Sequence, residues 1–511
     1  MIKPKKIKHS SHPVMFFIYL SLLVIIASGI LNALNYQATY DKLTTIAGEV
    51  ESVTVSVNSL LSLDGLKFLL TSVFDNLTSF MPFGTLLIGA ISFGIALKSG
   101  FLKSICAKLT GKLPKFLIVF IYSLVCILAS VDNSLGYVLL LPLGAVLFMS
   151  MGRNPIGGIV IGFVSIASGH GAGFFVNSLD YNLSGYTEAS ARLTAEYDVS
   201  LSSNLIFIIV AALLISTVFT IISEKLITRK LGKNTFEDDE LMLEDVKEKK
   251  GLIASLIATV VYLIPFILLI IPSDKDGFIG LLLDKSQTEY SKMLFSSDSL
   301  VMTNLVGIIS LLFALQGFVY GIAAGTIRKI RDVVNFSIDY LKSIGGIFAL
   351  IFFAAQLSAL FKESNIGVVT TGFVANLISS SNFAFIPLIL ILLMLTMLLN
   401  ILVPASVPKW SIIAPTIMPS IIKANISPEF AQAVFRAGDS VTNSITPLFV
   451  YFVIFIGFVE VYTKNKNDFS IRKCYQILFP YFLSALLIWI IMIISWYIAG
   501  FPIGPGVYPS I

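Results

Sequence analysis

The sequence predicts an all-α polytopic membrane protein, with about nine transmembrane helices and two re-entrant helical hairpins arranged as an inverted repeat. Of the 511 residues, 56% are apolar and only 13% are charged, and the mean hydropathy is +0.89. A water-soluble surface does not tolerate that balance. Several apolar runs also reach the roughly 20 residues that a helix needs to cross a bilayer. We therefore expect residues 1–511 to form a single integral membrane domain.

The full crossings are expected where apolar runs are long enough to span the bilayer, at 14–34, 83–98, 155–176, 204–223, 251–271, 299–323, 346–361, 428–462 and 475–499. Four lysines in residues 3–8 precede the first run, and no small-x-small cleavage site closes it. This pattern predicts a retained anchor with a cytoplasmic N-terminus. Three amphipathic stretches, 60–80, 101–113 and 327–341, are expected to lie along the membrane interface.

The charged residues and cysteines exclude several other classes of protein. The net charge is +5, but the basic residues lie in short segments between apolar runs, as membrane orientation requires, so no nucleic-acid partner is predicted. Cys106, Cys126 and Cys474 are scattered without disulfide or zinc spacing. We expect the three thiols to be packing residues.

Two long apolar stretches, 115–151 and 387–425, are interrupted by polar segments at Ser130–Gly136 and Pro404–Lys409. A helix broken in this way would leave backbone groups unpaired in lipid, so each break is expected to be buried in protein or to face a water-filled cavity. Lysines precede the first stretch and Arg153 follows it, which places both of its ends in the cytoplasm. The count of crossings then places the acidic loop from Asp180 to Asp198 on the outside, and the second stretch also enters from the outside.

An internal repeat supports two hairpins of opposite orientation. Three pairs of residues share a separation of 273 positions: Tyr137 and Trp410, Pro142 and Pro415, and Pro155 and Pro428. The same spacing aligns the glycine-rich break 168–173 with the polar break 441–446, so each hairpin is followed by a crossing helix that is itself interrupted. The two units, hairpin plus broken helix, are residues 115–180 and 387–462.

Arg436 and Asp439 are the ionisable residues that stand out in the second unit. They lie three residues apart within a stretch long enough to cross the bilayer, where charges are costly and usually functional. Paired broken helices also expose backbone dipoles near the midplane, which predicts the transport site there. We expect Arg436 to bind a substrate carboxylate and Asp439 to bind a coupling cation or proton. The alternative is a mutually neutralising pair that only stabilises packing.

Oxygen-bearing and aromatic side chains surround the second break. Asn400, Asn443, Ser440 and Thr442 offer the oxygen ligands that a hard cation such as sodium requires, although ordinary hydrogen bonding between helices is the alternative for each. A possible sodium site at Asn400, Asp439 and Asn443 is therefore the only metal or cofactor predicted. Trp410 is expected to stack on an aromatic substrate, or else to anchor the chain at the interface.

The first unit offers fewer candidates. Asp132 and Asn133 lie at the predicted hairpin tip. Asp180 ends the broken helix and is either a site residue for substrate or cation, or a loop acid. His170 lies between glycines and is either a proton relay or a structural, hydrogen-bonded residue.

The absence of two motifs narrows the function classes. The sequence contains no Walker A loop and no His-Glu-x-x-His motif, which argues against an ATP-driven pump and an intramembrane metalloprotease. A channel also uses paired hairpins, but the isolated Arg436 and Asp439 suit stoichiometric binding better than a ring-lined pore. The sequence therefore predicts a carrier for a small organic anion, with an anion channel as the alternative class, and no enzyme.

The chain resembles the p-aminobenzoyl-glutamate transporter (AbgT) family along nearly its whole length. The stretches that carry the resemblance are His12–Met15, Gly136–Gly144, Val319–Thr326, Phe352–Gln356, Lys409-Trp410, Arg436–Pro447 and Gly504–Gly506. The resemblance implies a homodimer of protomers with nine transmembrane helices and two opposed hairpins. It also implies cation-coupled movement of p-aminobenzoyl-glutamate or, in some members, export of p-aminobenzoate and sulfonamide drugs. The positions that match family functional residues are Asp180, Asn400, Trp410, Arg436 and Asp439.

Three departures from the family pattern concern specificity. The serine hydroxyl that the family has three residues before the tryptophan is replaced here by Val407, and Ser406 is expected to substitute for it as a substrate-binding group. Ser134 stands where the family has an aspartate, and His170 stands where an apolar residue is usual. We therefore expect sodium- or proton-coupled transport of p-aminobenzoyl-glutamate or a related aromatic or dicarboxylic anion across the inner membrane, with proton-coupled drug efflux as the alternative. Residue types alone do not set the direction.

Overall fold

The protein is built mostly from helices, many of them apolar. The structure, a computed structural model, describes residues 12–43, 50–131, 134–232, 247–273, 277–380, 385–464 and 470–511. Its first helices are α1 Pro13–Ala33, α2 Leu63–Thr71, α3 Val73–Thr78, α4 Met81–Lys98, α5 Phe101–Lys112, α6 Lys115–Leu128, α7 Leu141–Ser150, α8 Pro155–Ser168, α9 Ser178–Arg192, α10 Leu205–Ile222 and α11 Thr228–Leu231. The remainder are α12 Glu248–Leu269, α13 Tyr290–Phe295, α14 Leu300–Thr303, α15 Leu305–Ala324, α16 Ile330–Glu363, α17 Ile366–Ser379, α18 Ile386–Leu402, α19 Ser406–Lys423, α20 Pro428–Thr442, α21 Phe452–Val461 and α22 Ile471–Ala499.

Seven helical segments of the described chain are long and apolar enough to cross a membrane: α1, α4, Leu205–Leu231, α12, α15, α16 and α22. Several expose large apolar side chains, such as Leu256 and Val261 of α12, on the outside of the bundle. Such surfaces are stable in lipid and unstable in water, and all backbone groups of a helix are paired within the helix. The membrane class predicted from composition is confirmed at this level.

Two predicted elements around α16 were wrong. The interfacial stretch 327–341 and the crossing 346–361 are one continuous helix, α16, because no proline separates them and Gly345 and Gly346 are tolerated within the helix. α17 follows directly and was missed. Its 14 residues are fewer than a full crossing requires, so a search by length passes over it.

A β-hairpin departs from the all-α prediction. Strands β1 Gln37–Leu43 and β2 Val50–Ser56 pair antiparallel, with Gln37 opposite Ser56. On β1, Tyr40 and Leu43 are buried, and Tyr40 packs against Gly372 of α17. The alternating β-branched residues of β2 suit a half-buried strand, but a search for long apolar runs does not detect them.

The two ends of the stretch 115–151 lie side by side. α6 continues as a 3-10 turn to Val131, and after the break a π-helical segment, Gly136–Leu140, leads into α7. The Lys115 Nζ donates a hydrogen bond to the Met151 carbonyl at 2.9 Å, and the Tyr122 hydroxyl donates to the Leu140 carbonyl at 2.9 Å. The chain therefore turns back on itself. Asp132 and Asn133 lie outside the described residues.

Helix boundaries repeat at the 273-residue spacing. α7 and α19 end at Ser150 and Lys423, and α8 and α20 begin at Pro155 and Pro428. In the second unit, the break between α18 and α19 comprises only residues 403–405. The spacing found among prolines and aromatic residues thus also holds for helix ends.

α8 and α20 also begin with the same local chemistry. The Asn154 side chain accepts a hydrogen bond from the Ile156 amide, and the Ser427 hydroxyl accepts one from the Phe430 amide. Each cap is followed by proline at the first helical position, where its missing N–H costs nothing.

The helices that follow the two broken stretches are themselves interrupted, as the sequence predicts. α8 passes into a 3-10 turn, Gly169–Gly171, before α9 begins at Ser178, and residues 443–451 separate α20 from α21. The segment expected to be an acidic loop, 180–198, is mostly the helix α9. Its start is fixed by a capping box between Asn177 and Asp180, a pattern hidden within a polar sequence.

Candidate functional site

The site is built on α20, a helix whose 15 residues are all buried. It packs against α9, α18, α19 and α22 and against the 3-10 turn Gly169–Gly171. A polar side chain on such a helix has no access to solvent, so it must find its partner on a neighbouring element. The polar residues of α20 therefore tie the two predicted units together.

Asp439 forms an ion pair with Lys409, and both side chains are almost completely buried. The Lys409 ammonium contacts Oδ1 of the carboxylate, and the Ser406 hydroxyl donates to Oδ2. Lys409 and Ser406 both lie in the first turn of α19, immediately after the break 403–405. The break thus places an ammonium group and a hydroxyl on one carboxylate. The expected role of Ser406 as a substrate-binding group stays a prediction.

Asn400, at the end of α18, links this ion pair to the end of α20. Its Oδ1 accepts a hydrogen bond from the Lys409 Nζ at 2.5 Å. Its Nδ2 lies within donor distance of the Thr442 hydroxyl at 3.1 Å and of the Asn443 Oδ1 at 2.8 Å. Three of the four oxygen-bearing residues predicted around the second break, Asn400, Thr442 and Asn443, therefore share one buried network with Asp439 and Lys409. Ser440 does not, because its hydroxyl bonds to the Ala437 carbonyl of its own helix.

Arg436 points to the first unit. Its guanidinium forms an ion pair with Asp180 at the start of α9, and its Nε donates to the His170 carbonyl at 2.8 Å. The other carboxylate oxygen of Asp180 accepts the Asn177 amide at 3.0 Å, which completes the capping box. The remaining guanidinium nitrogen, Nη2, is buried and has no hydrogen-bond partner among the described residues. Asp180 is therefore a buried residue in the first turn of α9 and not a loop acid, and its role in binding substrate or cation stays a prediction.

Arg436 and Asp439 do not form an ion pair with each other. Arg436 bonds to Asp180 of α9, and Asp439 bonds to Lys409 of α19, although the two residues are one helical turn, roughly 5 Å, apart along the axis. The alternative interpretation of a mutually neutralising pair is wrong.

Trp410 lies wholly inside the protein. Its Nε1 donates to the Thr187 hydroxyl of α9 at 2.9 Å, and its ring lies 4.5 Å from the ring of Phe435. Thr187 in turn lies 2.7 Å from the Gln432 Oε1. A completely buried indole bonded to another helix is not an interfacial anchor, so the alternative role given to Trp410 is also wrong.

Sequence reasoning missed three residues of the site: Lys409, Thr187 and Gln432. Lys409 meets the same criterion that singled out Arg436, an ionisable residue beside a break in an apolar stretch. Thr187 and Gln432 carry no such signal, because neutral polar residues are common in helices and only their burial marks them.

The oxygen set predicted for sodium faces an ammonium group in this conformation. The oxygens of Asn400 and Asp439 contact Lys409 Nζ, and Asn443 Oδ1 is engaged by Asn400 Nδ2. No group of three or more His, Cys, Asp or Glu side chains within the described ranges is arranged to hold a metal ion. A sodium ion would therefore fit these oxygens only after Lys409 had moved away.

Comparisons with known proteins identify the family of the chain. A model of the AbgT putative transporter family matches residues 8–511. The p-aminobenzoyl-glutamate transport protein of Escherichia coli (strain K12) is 27% identical over 502 residues, which cover 98% of this chain and 94% of that protein.

Two solved structures are similar over nearly their full lengths. The YdaH transporter of Alcanivorax borkumensis, described as having an unusual topology, is 30% identical with a TM-score of 0.50, covering 97% of this chain and 100% of that one. MtrF of Neisseria gonorrhoeae, described as illuminating a class of antimetabolite efflux pumps, is 30% identical with a TM-score of 0.50, covering 98% of each chain. The protein is thus a multi-pass membrane transporter and not an enzyme, and the chain belongs to the AbgT putative transporter family.

Proposed function

We propose that the protein is a secondary active transporter that moves p-aminobenzoyl-glutamate, or a related small aromatic or dicarboxylic anion, across the inner membrane, coupled to a sodium or proton gradient. The observation that carries the proposal is the buried, charge-balanced pair of ion pairs, Arg436 with Asp180 and Lys409 with Asp439.

Charge balance is the reason to expect coupling to a cation. In their ionic forms the four side chains sum to zero charge, so an anion that enters the site adds a net negative charge in a region of low dielectric constant. An uncompensated buried charge is costly. A sodium ion or proton that enters with the anion removes this cost.

The two halves of the site suggest separate roles. Arg436 has one guanidinium nitrogen without a partner and can exchange Asp180 for a substrate carboxylate, a geometry that guanidinium groups favour. Trp410 and Phe435 offer aromatic faces beside it. Asp439 exchanges Lys409 for the coupling ion, with Asn400 and Asn443 as neighbouring oxygen donors.

The proposed topology has about nine crossings and two re-entrant hairpins of opposite orientation, with a cytoplasmic N-terminus. Support comes from the contact between the two ends of the first stretch and from the helix boundaries that repeat at one spacing. We also propose that two copies of the chain form a homodimer in the bilayer.

A second candidate is proton-coupled export of p-aminobenzoate and sulfonamide drugs. It is favoured by the 30% identity to MtrF, which is described with antimetabolite efflux pumps. An anion channel is less well supported, because the polar groups of the site are bonded directly to one another and do not line an open path.

The test uses purified protein reconstituted into lipid vesicles, with a sodium gradient and a pH gradient imposed separately. We expect labelled p-aminobenzoyl-glutamate to accumulate above its external concentration under at least one inward gradient. The second candidate function, efflux, predicts instead that p-aminobenzoate and sulfonamides exchange against protons. Equilibration of the label without accumulation under either gradient would favour a channel and contradict the proposal.

A further inference from the structure

The polar residues of α20 continue beyond the two ion pairs in a single stripe. Counting from the start of the helix, the stripe consists of Glu429, Gln432, Arg436, Asp439 and Asn443. The spacing alternates between three and four residues, which places all five side chains on one face of a helix. All five residues are at most 3% exposed. Polar side chains inside a membrane protein are costly to bury without partners, and they often mark the path of the transported molecule.

The outer part of the stripe faces one neighbouring segment. The partners of Glu429, Gln432 and Arg436 are, respectively, the Tyr197 hydroxyl at 2.9 Å, the Thr187 hydroxyl at 2.7 Å and the Asp180 carboxylate. These three partners all come from α9 and the residues that directly follow it. One segment, 180–197, therefore covers three consecutive positions of the stripe, and its displacement would uncover all three together.

The groups uncovered in this way are arranged in a definite order along α20. Glu429 offers a carboxyl group, and Arg436 offers a guanidinium. Between them lie Gln432 and the aromatic pair of Trp410 and Phe435, whose rings are 4.5 Å apart. Glu429 and Arg436 are seven residues apart, which is roughly 10 Å along a helix.

This order of groups is complementary to a molecule with a hydrogen-bond donor at one end, an aromatic ring in the middle and a carboxylate at the other end. In p-aminobenzoyl-glutamate the aryl amine and the α-carboxylate are also roughly 10 Å apart in an extended conformation, by ordinary bond lengths. Two protein groups that bond to the stripe in this structure resemble the two ends of that molecule. The Tyr197 hydroxyl donates to Glu429, as an amine would, and the Asp180 carboxylate binds Arg436, as a substrate carboxylate would.

We propose that Glu429, supported by Gln432, forms a subsite for the aryl amine of the substrate, which lies along α20 with its carboxylate on Arg436. The inference rests on the proposed function and deepens it. The amine N–H replaces the Tyr197 hydroxyl as the donor to Glu429, so the contact exchanges one hydrogen bond for another and leaves no buried acceptor unpaired. A substrate without the amine leaves the Glu429 carboxyl unpaired and binds less well.

The test compares two ligands and two forms of the full-length protein. The ligands are p-aminobenzoyl-glutamate and benzoyl-glutamate, which differ only in the amine. Their affinities and their KM values for uptake into vesicles are measured for the wild type and for Glu429→Gln, which keeps the size of the side chain and weakens the acceptor. Glu363→Gln, at an exposed carboxylate at the end of α16, is the matched control.

We expect the wild type and the control to bind the aminated ligand about tenfold more tightly, the effect of one hydrogen bond. In Glu429→Gln this preference should shrink to about twofold, while the affinity for benzoyl-glutamate stays near that of the wild type. A Tyr197→Phe variant, which frees Glu429 from its present donor, should keep the preference for the amine.

Two results would overturn the subsite while leaving the proposed function intact. One is a wild type that transports both ligands equally well. The other is a Glu429→Gln variant that retains the preference or loses both ligands to the same extent, as a merely structural residue would. A wild type that neither binds nor transports p-aminobenzoyl-glutamate would remove the proposed function and the subsite together.

Discussion

Lys409 and Asp439 carry opposite charges where neither can be solvated, since both side chains are almost wholly buried. Removal of one partner leaves a buried charge without compensation, which typically costs about 3–5 kcal/mol. Replacement of both by neutral side chains of similar shape is far less costly. This difference allows the structural contribution of the pair to be separated from its role in coupling.

We expect Lys409→Gln and Asp439→Asn each to lower the melting temperature of the purified protein clearly and to abolish gradient-driven uptake. The double variant should recover most of the melting temperature, because no unpaired charge remains. It should not recover uptake against a gradient, because the group that exchanges Lys409 for the coupling ion has been lost. Melting in detergent and uptake into vesicles are the two measurements.

The matched control is the exposed ion pair Lys342 and Asp339, one helical turn apart on α16 with 3.2 Å between Nζ and Oδ1. Neutralising that pair should change neither the melting temperature nor the uptake, since exposed ion pairs contribute little to stability. A double Lys409/Asp439 variant that accumulates substrate as the wild type does would show that the pair has no part in coupling.

At the residue scale, the sequence singled out Arg436 and Asp439, which the structure shows to be buried and ion-paired, but it did not identify their partners. Arg436 and Asp439 could be recognised from the sequence because burying a charge is costly wherever the residue lies in the fold. The partner depends on which distant element packs alongside. Asp180 is 256 positions from Arg436 in the chain, and no local pattern records that contact.

At the element scale, the glycines of the first break decide how closely it approaches α20. A Cβ on Gly171 would lie 2.7 Å from the Trp489 Cζ2 and 2.9 Å from the Ser440 Oγ. At Gly173, two residues on, the nearest atom would be the Phe175 carbonyl oxygen at 3.8 Å. Of these two positions, only Gly171 therefore requires the absence of a side chain.

We expect Gly171→Ala to push the 3-10 turn away from α20 and so to displace the His170 carbonyl from Arg436. Overpacking of this kind costs about 1–3 kcal/mol. The variant should melt at a lower temperature and take up substrate several-fold more slowly. Gly173→Ala, which adds the same methyl group in the same segment, should behave as the wild type does; equal effects of the two substitutions would refute the close-approach argument.

The sequence predicted mainly those elements whose apolar runs are long enough to cross a bilayer or whose starts carry a recognisable cap. Apolar runs of bilayer length gave most of the crossings, and proline with a capping residue marked the starts of α8 and α20. The β-hairpin, α17 and α9 were missed or misassigned because they are short or polar, and their places depend on packing. Tyr40 of β1, for example, is buried only because Gly372 leaves room for its ring.

At the scale of the whole molecule, the two units meet on α20. The helix belongs to the second unit, yet Arg436 is bonded to α9 and to His170 of the first. Any motion of one unit against the other must therefore break or exchange the Arg436 contacts. A carrier that opens alternately to the two sides needs such contacts between its repeats at the binding site.

The inverted arrangement predicts that equivalent positions of the two units lie on opposite faces of the membrane. Ser150 and Lys423 are such a pair, since each is the last residue of its helix, is exposed and lies 273 positions from the other. We expect a membrane-impermeant maleimide to label Ser150→Cys only from the cytoplasmic side and Lys423→Cys only from the outside, which also places Arg153 and Lys423 on opposite faces.

Background labelling should be low, because Cys106, Cys126 and Cys474 are buried. Lys108→Cys and Asp198→Cys, at exposed positions expected inside and outside respectively, calibrate the two sides. If Ser150→Cys and Lys423→Cys react from the same side, the hairpins enter from one face and the repeat is parallel. Arg436 and Lys409 would then still form the buried site. Without inverted repeats, however, opposite motions of the two units could not open that site alternately to the two sides of the membrane.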